Sequence, residues 1–223
     1  MNLKLNFLFL FISLGLFAQE DVFVDENYLE DQFYIGIQYN NTVNNPSGLS
    51  TVGIPYSFNG GFIKDIPLNK RRNIAFGIGA GYSYDLIRPN VNITQSSDNF
   101  TFDIDDTLST YSFATHNLEI PLEFRWRTST ATNSSFWRIY TGISYIKTFD
   151  STIKLNNGDA GNYSNISELN TKNFSIYSSL GYGTWNFHIK YYLNSYFKNG
   201  TLDSNGNNLN FNQLKIGVIF YIL

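Results

Sequence analysis

The chain has 223 residues, of which 43% are hydrophobic and 17% aromatic, with no cysteine and a formal net charge of -3. The missing cysteines exclude disulfide scaffolds, thiolate-held zinc, iron–sulfur clusters and thiol nucleophiles. Nothing in a net-acidic chain suggests a nucleic-acid partner, which would call for Lys and Arg clustered over a face. Charged residues make up 15%, against about 25% in an ordinary soluble domain. The 16 Tyr, 20 Phe and 29 Asn pair strand-forming side chains with turn-forming ones.

Residues 1–18 read as a secretory signal peptide. Lys4 precedes an apolar run at 5–17 that ends at Ala18-Gln19, the order of charged, apolar and small-residue regions that such signals show. A membrane-spanning helix takes about 20 apolar residues; this run is shorter, and Asn6 interrupts it. Cleavage after Ala18 removes one cation, Lys4, and takes the net charge from -3 to -4. Residues 19–31 then carry Glu20, Asp21, Asp25, Glu26, Glu30 and Asp31 without a base, which predicts a solvated periplasmic tail.

From residue 32 the apolar period is two rather than 3.6, the signature of strands with one apolar face. A first strand at 32–40 sets Phe33, Ile35, Ile37 and Tyr39 against Tyr34, Gly36 and Gln38. A second at 55–65 sets Tyr56, Phe58 and Phe62 against Ser57, Asn59 and Gly61. In the third, 74–86, Phe76, Ile78, Tyr82 and Tyr84 oppose Gly77, Gly79, Gly81 and Asp85. The fourth, 114–127, opposes Leu118, Ile120, Leu122, Phe124 and Trp126 to Asn117, Glu119, Glu123, Arg125 and Arg127. The fifth, 136–148, opposes Trp137, Ile139 and Ile143 to Arg138, Tyr140 and Ser144. The sixth, 173–183, and the seventh, 186–197, repeat the split, the seventh with His188, Lys190, Tyr192 and Asn194 on its polar face. The eighth, 209–222, places Gln213, Lys215 and Gly217 there.

Eight strands near ten residues each match what a tilted strand needs to cross a bilayer. Long connections at 41–54, 87–113, 149–172 and 198–208 alternate with shorter turns near 65–72, 128–135 and Thr184-Trp185, and both termini fall on the short-turn side. A soluble β-sandwich or a lipocalin-like barrel also alternates, but its water-facing side carries more charge. Tyr39, Tyr56, Tyr82, Tyr84, Trp126, Trp137, Tyr145 and Tyr182 sit near strand ends, where aromatic girdles form. The expected fold is all-β: an eight-stranded antiparallel up-and-down transmembrane β-barrel over residues 32–223, in outer-membrane lipid with periplasmic termini.

Eight strands enclose a lumen that side chains fill. The inward faces supply Asp85, Glu119, Glu123, Arg125, Arg127, Arg138, Lys190 and Lys215, expected to form a charge network because unpaired lumen charges are costly. No cofactor or metal is expected. His116 faces outward between Ala114 and Leu118, and a Ser beside it would be needed for hydrolase chemistry. His188 faces inward as a lumen residue. Asp103, Asp105 and Asp106 form an acidic surface loop.

The run at 116–130, HNLEIPLEFRWRTST, with 136–149, FWRIYTGISYIKTF, resembles the PorT-type outer-membrane β-barrel proteins of Bacteroidota. The segments 62–72, FIKDIPLNKRR, and 77–82, GIGAGY, are similar to the wider porin-like barrel family of that phylum. The resemblance implies a non-enzymatic part in type IX secretion across the outer membrane, and it transfers no catalytic residue. Other secretion-system subunits, docking at the periplasmic rim near Arg125, Arg127 and Arg138, are the partners it implies. A surface barrel for adhesion or small-solute passage is the alternative, and an outer-membrane lipid hydrolase a more distant one.

Overall fold

The computed structural model describes residues 31–96, 99–105, 111–129, 136–155 and 163–222. The expected signal peptide, and all of the acidic tail but Asp31, lie outside these residues.

Period-two segments give strands β1 (Gln32–Val43), β2 (Tyr56–Pro67), β3 (Ile74–Ile87), β4 (Val91–Ser96), β5 (Asn99–Ile104), β6 (Tyr111–Arg127), β7 (Trp137–Leu155), β8 (Tyr163–Ser164), β9 (Lys172–Tyr182), β10 (Trp185–Tyr192) and β11 (Asn212–Ile222). Eight of them form a ring in the order β6-β3-β2-β1-β11-β10-β9-β7, which the β6–β7 pairing closes. Every neighbouring pair is antiparallel. Set apart from β4, β5 and β8, which belong to the long connections, ring neighbours are consecutive in the chain, so the barrel is up-and-down. Closure pairs every edge strand, the condition for backbone to lie in hydrocarbon.

Several boundaries differ from the sequence reading. The seventh barrel strand, β10, ends at Tyr192 rather than 197, because Asn194 turns the chain: its Oδ1 accepts from the Phe174 N–H at 2.8 Å. The eighth begins at Asn212 rather than 209. The fourth and fifth are longer than expected, since β6 and β7 rise together beyond the membrane to Tyr111 and Leu155. A bulge at Phe149 lies between the Asn117–Thr148 and His116–Asp150 pairs and reverses which face of β7 points inward, as an extra residue in one strand must. The tight turn is Gly183-Thr184, not Thr184-Trp185, since Trp185 pairs with Tyr182. Gly183 has φ of 58°, as the first position of a two-residue type II′ hairpin requires.

The outer face is apolar. Ile35, Ile37, Ile78, Leu118, Ile120, Leu122, Ile143, Ile176, Leu180 and Phe187 are all exposed, far more than a soluble monomer presents. Aromatic contacts bound this belt, with Trp137–Tyr182 at 5.3 Å and Trp185–Phe220 at 4.8 Å on the short-turn side. Tyr56, Tyr84, Tyr82, His116 and Phe149 cluster on the long-loop side.

The long connections fold into a cap with its own apolar core. Leu49, Ile87, Val91, Ile93, Phe102, Phe113, Ile153, Ile166, Leu169, Tyr196, Phe197, Leu209 and Phe211 pack together there. The longest expected loop, 87–113, contains the β4–β5 hairpin. Asparagines satisfy the cap's backbone. Asn90 Nδ2 donates to Gly48 O at 2.9 Å and its Oδ1 accepts from Ser50 N at 2.7 Å. Asn170 Nδ2 lies within hydrogen-bond distance of both Ser195 O (2.7 Å) and Phe197 O (2.9 Å). Buried backbone groups need such partners.

Candidate functional site

Alternate side chains of a strand point to opposite faces, so the inward positions of β2, β3, β6, β7, β10 and β11 converge on one lumen. All eight sequence-predicted charged residues lie there, buried. Small residues on β3 make the room. A Cβ on Gly77 would come within 2.8 Å of Arg125 Nε, and one on Gly81 would collide with the Tyr34 hydroxyl.

At the short-turn end, Asp65 is the hub. Its carboxylate accepts from Arg127 Nη1 and Nη2 at 2.8 and 2.7 Å, and from Arg125 Nη1 at 3.0 Å. Arg125 Nε donates to Glu123 Oε1 at 2.8 Å, and Tyr177 Oη donates to Glu123 Oε2 at 3.1 Å. Bidentate, fully desolvated pairs of this kind fix geometry strongly. Sequence reasoning missed Asp65 by assigning it to the turn. It shares parity with Ser57, Asn59 and Gly61 and was also the last residue of the expected second strand, so carrying that parity to the strand's end would have found it.

Midway along the lumen, Lys190 Nζ donates to Glu119 Oε2 at 2.7 Å. His188 Nδ1 and Ser179 Oγ share a hydrogen bond of 2.7 Å. Near the long-loop end, Asp85 accepts from Lys215 at 2.6 Å, Ser57 at 2.5 Å, Asn117 at 3.0 Å and Tyr192 at 3.1 Å. Lys215 also donates to Tyr192 Oη at 2.7 Å.

Arg138 stands apart. It lies across the ladder from Arg127, is 4% exposed, and has no carboxylate partner among the described residues. Its guanidinium carbon sits 4.5 Å from the Phe136 ring centre, 5.8 Å from that of Tyr140 and 5.5 Å from that of Tyr221.

Two of the cavities in the lumen are small. A cavity of about 20 Å³ touches Glu119, His188 and Lys190, and another of about 10 Å³ touches Asp85 and Asn117. Each is on the scale of a single water. The arrangement can hold the barrel rigid and bind small polar groups. Outside the barrel, His116 Nδ1 hydrogen-bonds Tyr82 Oη at 2.6 Å. Its partner is thus a phenol in the aromatic girdle rather than a serine. In the cap, Asp103 accepts from Ser204 Oγ at 2.6 Å; Asp106 lies outside the described residues.

The family model described as "Outer membrane protein beta-barrel domain" matches residues 17–212. Among solved structures, the chain is similar to Ail, the attachment invasion locus protein of Yersinia pestis. Against Ail in complex with the heparin analogue sucrose octasulfate, the TM-score is 0.35 at 10% identity, over 87% of this chain and 99% of that one. Against Ail alone it is 0.33 at 10% identity, over 86% and 97%. No curated protein matches the chain.

Proposed function

Because the chain belongs to the outer membrane protein β-barrel domain family, we propose that this outer-membrane barrel is a non-enzymatic accessory to protein export, of the PorT type used in type IX secretion. The observation that carries this is the filled lumen. Asp65, Glu123, Arg125 and Arg127 occupy one end of it, and an apolar cap covers the other. A barrel so filled serves as a fixed platform in the membrane rather than as a conduit. The resemblance of 116–130 and 136–149 to PorT-type proteins supplies the type of platform, in Bacteroidota, with termini in the periplasm and other secretion subunits meeting the short-turn rim.

The test is a clean deletion strain in which surface and medium proteins are quantified against periplasmic ones. Export cargo accumulating in the periplasm is the expected result; an unchanged exported set overturns the secretion role. The folded cap favours a second reading, a surface barrel that contacts an external partner through its loops. Loss of cell or matrix binding on deletion, with export intact, would select it. Small-solute passage predicts conductance in planar bilayers, and the filled lumen predicts silence.

A further inference from the structure

We propose that Arg138 is the centre of a carboxylate-binding site at the short-turn mouth of the lumen. The site does not depend on the secretion role.

The first observation is a charge imbalance. The buried barrel residues Arg125, Arg127, Arg138, Lys190 and Lys215 face the carboxylates Asp65, Asp85, Glu119 and Glu123. Each of those carboxylates is engaged by one of the other cations, so Arg138 is the cation left over. Arg127 sits directly across the ladder from it, and like charges in that position repel. A buried guanidinium in this setting calls for an anion.

The second observation is geometric. Rings of Phe136, Tyr140 and Tyr221 surround the guanidinium, and aromatic faces stabilise the cation without occupying its N–H groups. Nε and Nη1 of Arg138 are buried and have no hydrogen-bond partner among the described residues. Nε–H and the outer N–H of Nη1 point to different edges of the guanidinium, and a planar carboxylate meets either edge through Nη2 as its second donor. Buried donors are normally satisfied, so the pair marks a place where an acceptor belongs.

The third observation concerns position. Arg138 is the second residue of β7, beside Gly181 of β9 and the Gly183-Thr184 turn, at the mouth that the N-terminal side of β1 also borders. At that mouth Asp31 already accepts from the Asp65 N–H at 2.8 Å and from Lys64 at 3.0 Å. Five further acids, Glu20, Asp21, Asp25, Glu26 and Glu30, precede Asp31 in the sequence. A carboxylate at Arg138 therefore has two sources: this acidic run, or a separate molecule arriving from the same side of the membrane.

The test uses the mature full chain, folded in detergent micelles and labelled with ¹⁵N-arginine. The six arginines give few Nε–H signals, and Arg138→Lys identifies the one in question. In the first arm Glu20, Asp21, Asp25, Glu26 and Glu30 are changed together to their amides. A shift of the Arg138 Nε–H signal, with those of Arg71 and Arg72 unmoved, assigns the carboxylate to the chain itself. In the second arm sodium acetate is titrated into both proteins. A saturable shift at Arg138 that is equal in the two proteins assigns it to a separate molecule. In whichever protein binds acetate, Arg138→Gln raises the acetate concentration that half-saturates thermal stabilisation by about tenfold, the loss expected on removing a charge-assisted pair. An Arg138 signal that responds to neither arm, or that moves no more than those of Arg71 and Arg72, overturns the proposal. Because the signal is read in the chain with Arg138 intact, a folding defect in Arg138→Gln leaves the test standing.

Discussion

The barrel and its cap follow opposite rules within the same strands. Along β6 the inward positions run from Arg127, Arg125, Glu123 and Glu119 through Asn117 and Thr115 to Phe113, every one of them buried. The outward positions run from Trp126, Phe124, Leu122, Ile120 and Leu118, all exposed, to Ala114, which is buried. Below the girdle the solvent outside is hydrocarbon, so apolar groups lie outside and the polar groups must satisfy one another inside. Above it the solvent is water, and the usual hydrophobic effect drives Phe113, Phe102, Phe197 and Phe211 into a core. The same chain therefore holds its two halves by different means: ion pairs and hydrogen bonds in the lumen, apolar packing in the cap.

Removing the hub of the lumen should produce the largest effect. Asp65→Ala strips Arg127 of its bidentate partner and Arg125 of a carboxylate acceptor, and breaking a buried pair costs about 3–5 kcal/mol. Denaturant unfolding in micelles, followed by the electrophoretic shift between folded and heated forms, should show the whole barrel weakened. A loss below about 1 kcal/mol, the scale of an exposed pair, would remove the hub from any structural role.

Phe197→Ala should be nearly as costly but confined to the cap. Phe197 is wholly buried against Phe102, Phe113, Tyr196 and Phe211, and such truncations cost about 3–5 kcal/mol. Limited proteolysis should cut the connection at 193–211 faster while the barrel keeps its folded mobility. If the barrel melts too, cap and barrel are one cooperative unit and the contrast fails.

One substitution made in both regions sharpens the comparison. Leu122 in the belt and Leu202 in the cap are similarly exposed, at 46% and 50%. Leu122→Lys should cost about 2–4 kcal/mol in a bilayer, and Leu202→Lys within about 0.5 kcal/mol of nothing, as for a water-facing site. Equal effects, measured by unfolding from lipid vesicles, would mean that Leu122 does not face lipid.

The smallest effect is a pH dependence at the rim. Partial burial pushes the Asp31 carboxyl upward, but the Asp65 backbone N–H and then Lys64 outweigh it, and its pKa lies below the ordinary 3.8. With the folded value depressed, the pair contributes stability above pH 3.8, and that contribution is lost as pH falls through the folded value. Lys64 is largely exposed, so the contribution is below about 1 kcal/mol. Unfolding of Asp31→Asn and the parent chain should differ at pH 7 and draw together as pH falls below 3.8; a constant difference would place the effect elsewhere.

Legibility in the sequence tracked how local each determinant is. The alternation of Leu118, Glu119, Ile120, Leu122 and Glu123 was readable because strand parity needs only neighbouring residues, and with it the burial of all eight lumen charges. Asp65 was not, because Pro67 and the following Asn-Lys-Arg-Arg read as a turn that starts two residues early. Which carboxylate meets which cation was not readable either: Asp65 and Arg127 are 62 positions apart, and only barrel closure sets them face to face.

The amino-acid order alone determined the eight barrel strands, their apolar and polar faces and the alternation of long and short connections, since each is a matter of period two and of turn-forming residues. The tertiary structure decided the rest. It joined four long connections into a cap, because Leu49, Phe102, Leu169 and Phe197 each lack enough local surface to bury alone and find it only in one another. It also left Arg138 without a carboxylate among the described residues, because ring closure fixes its neighbours as Arg127 and Gly181 whatever its own side chain requires.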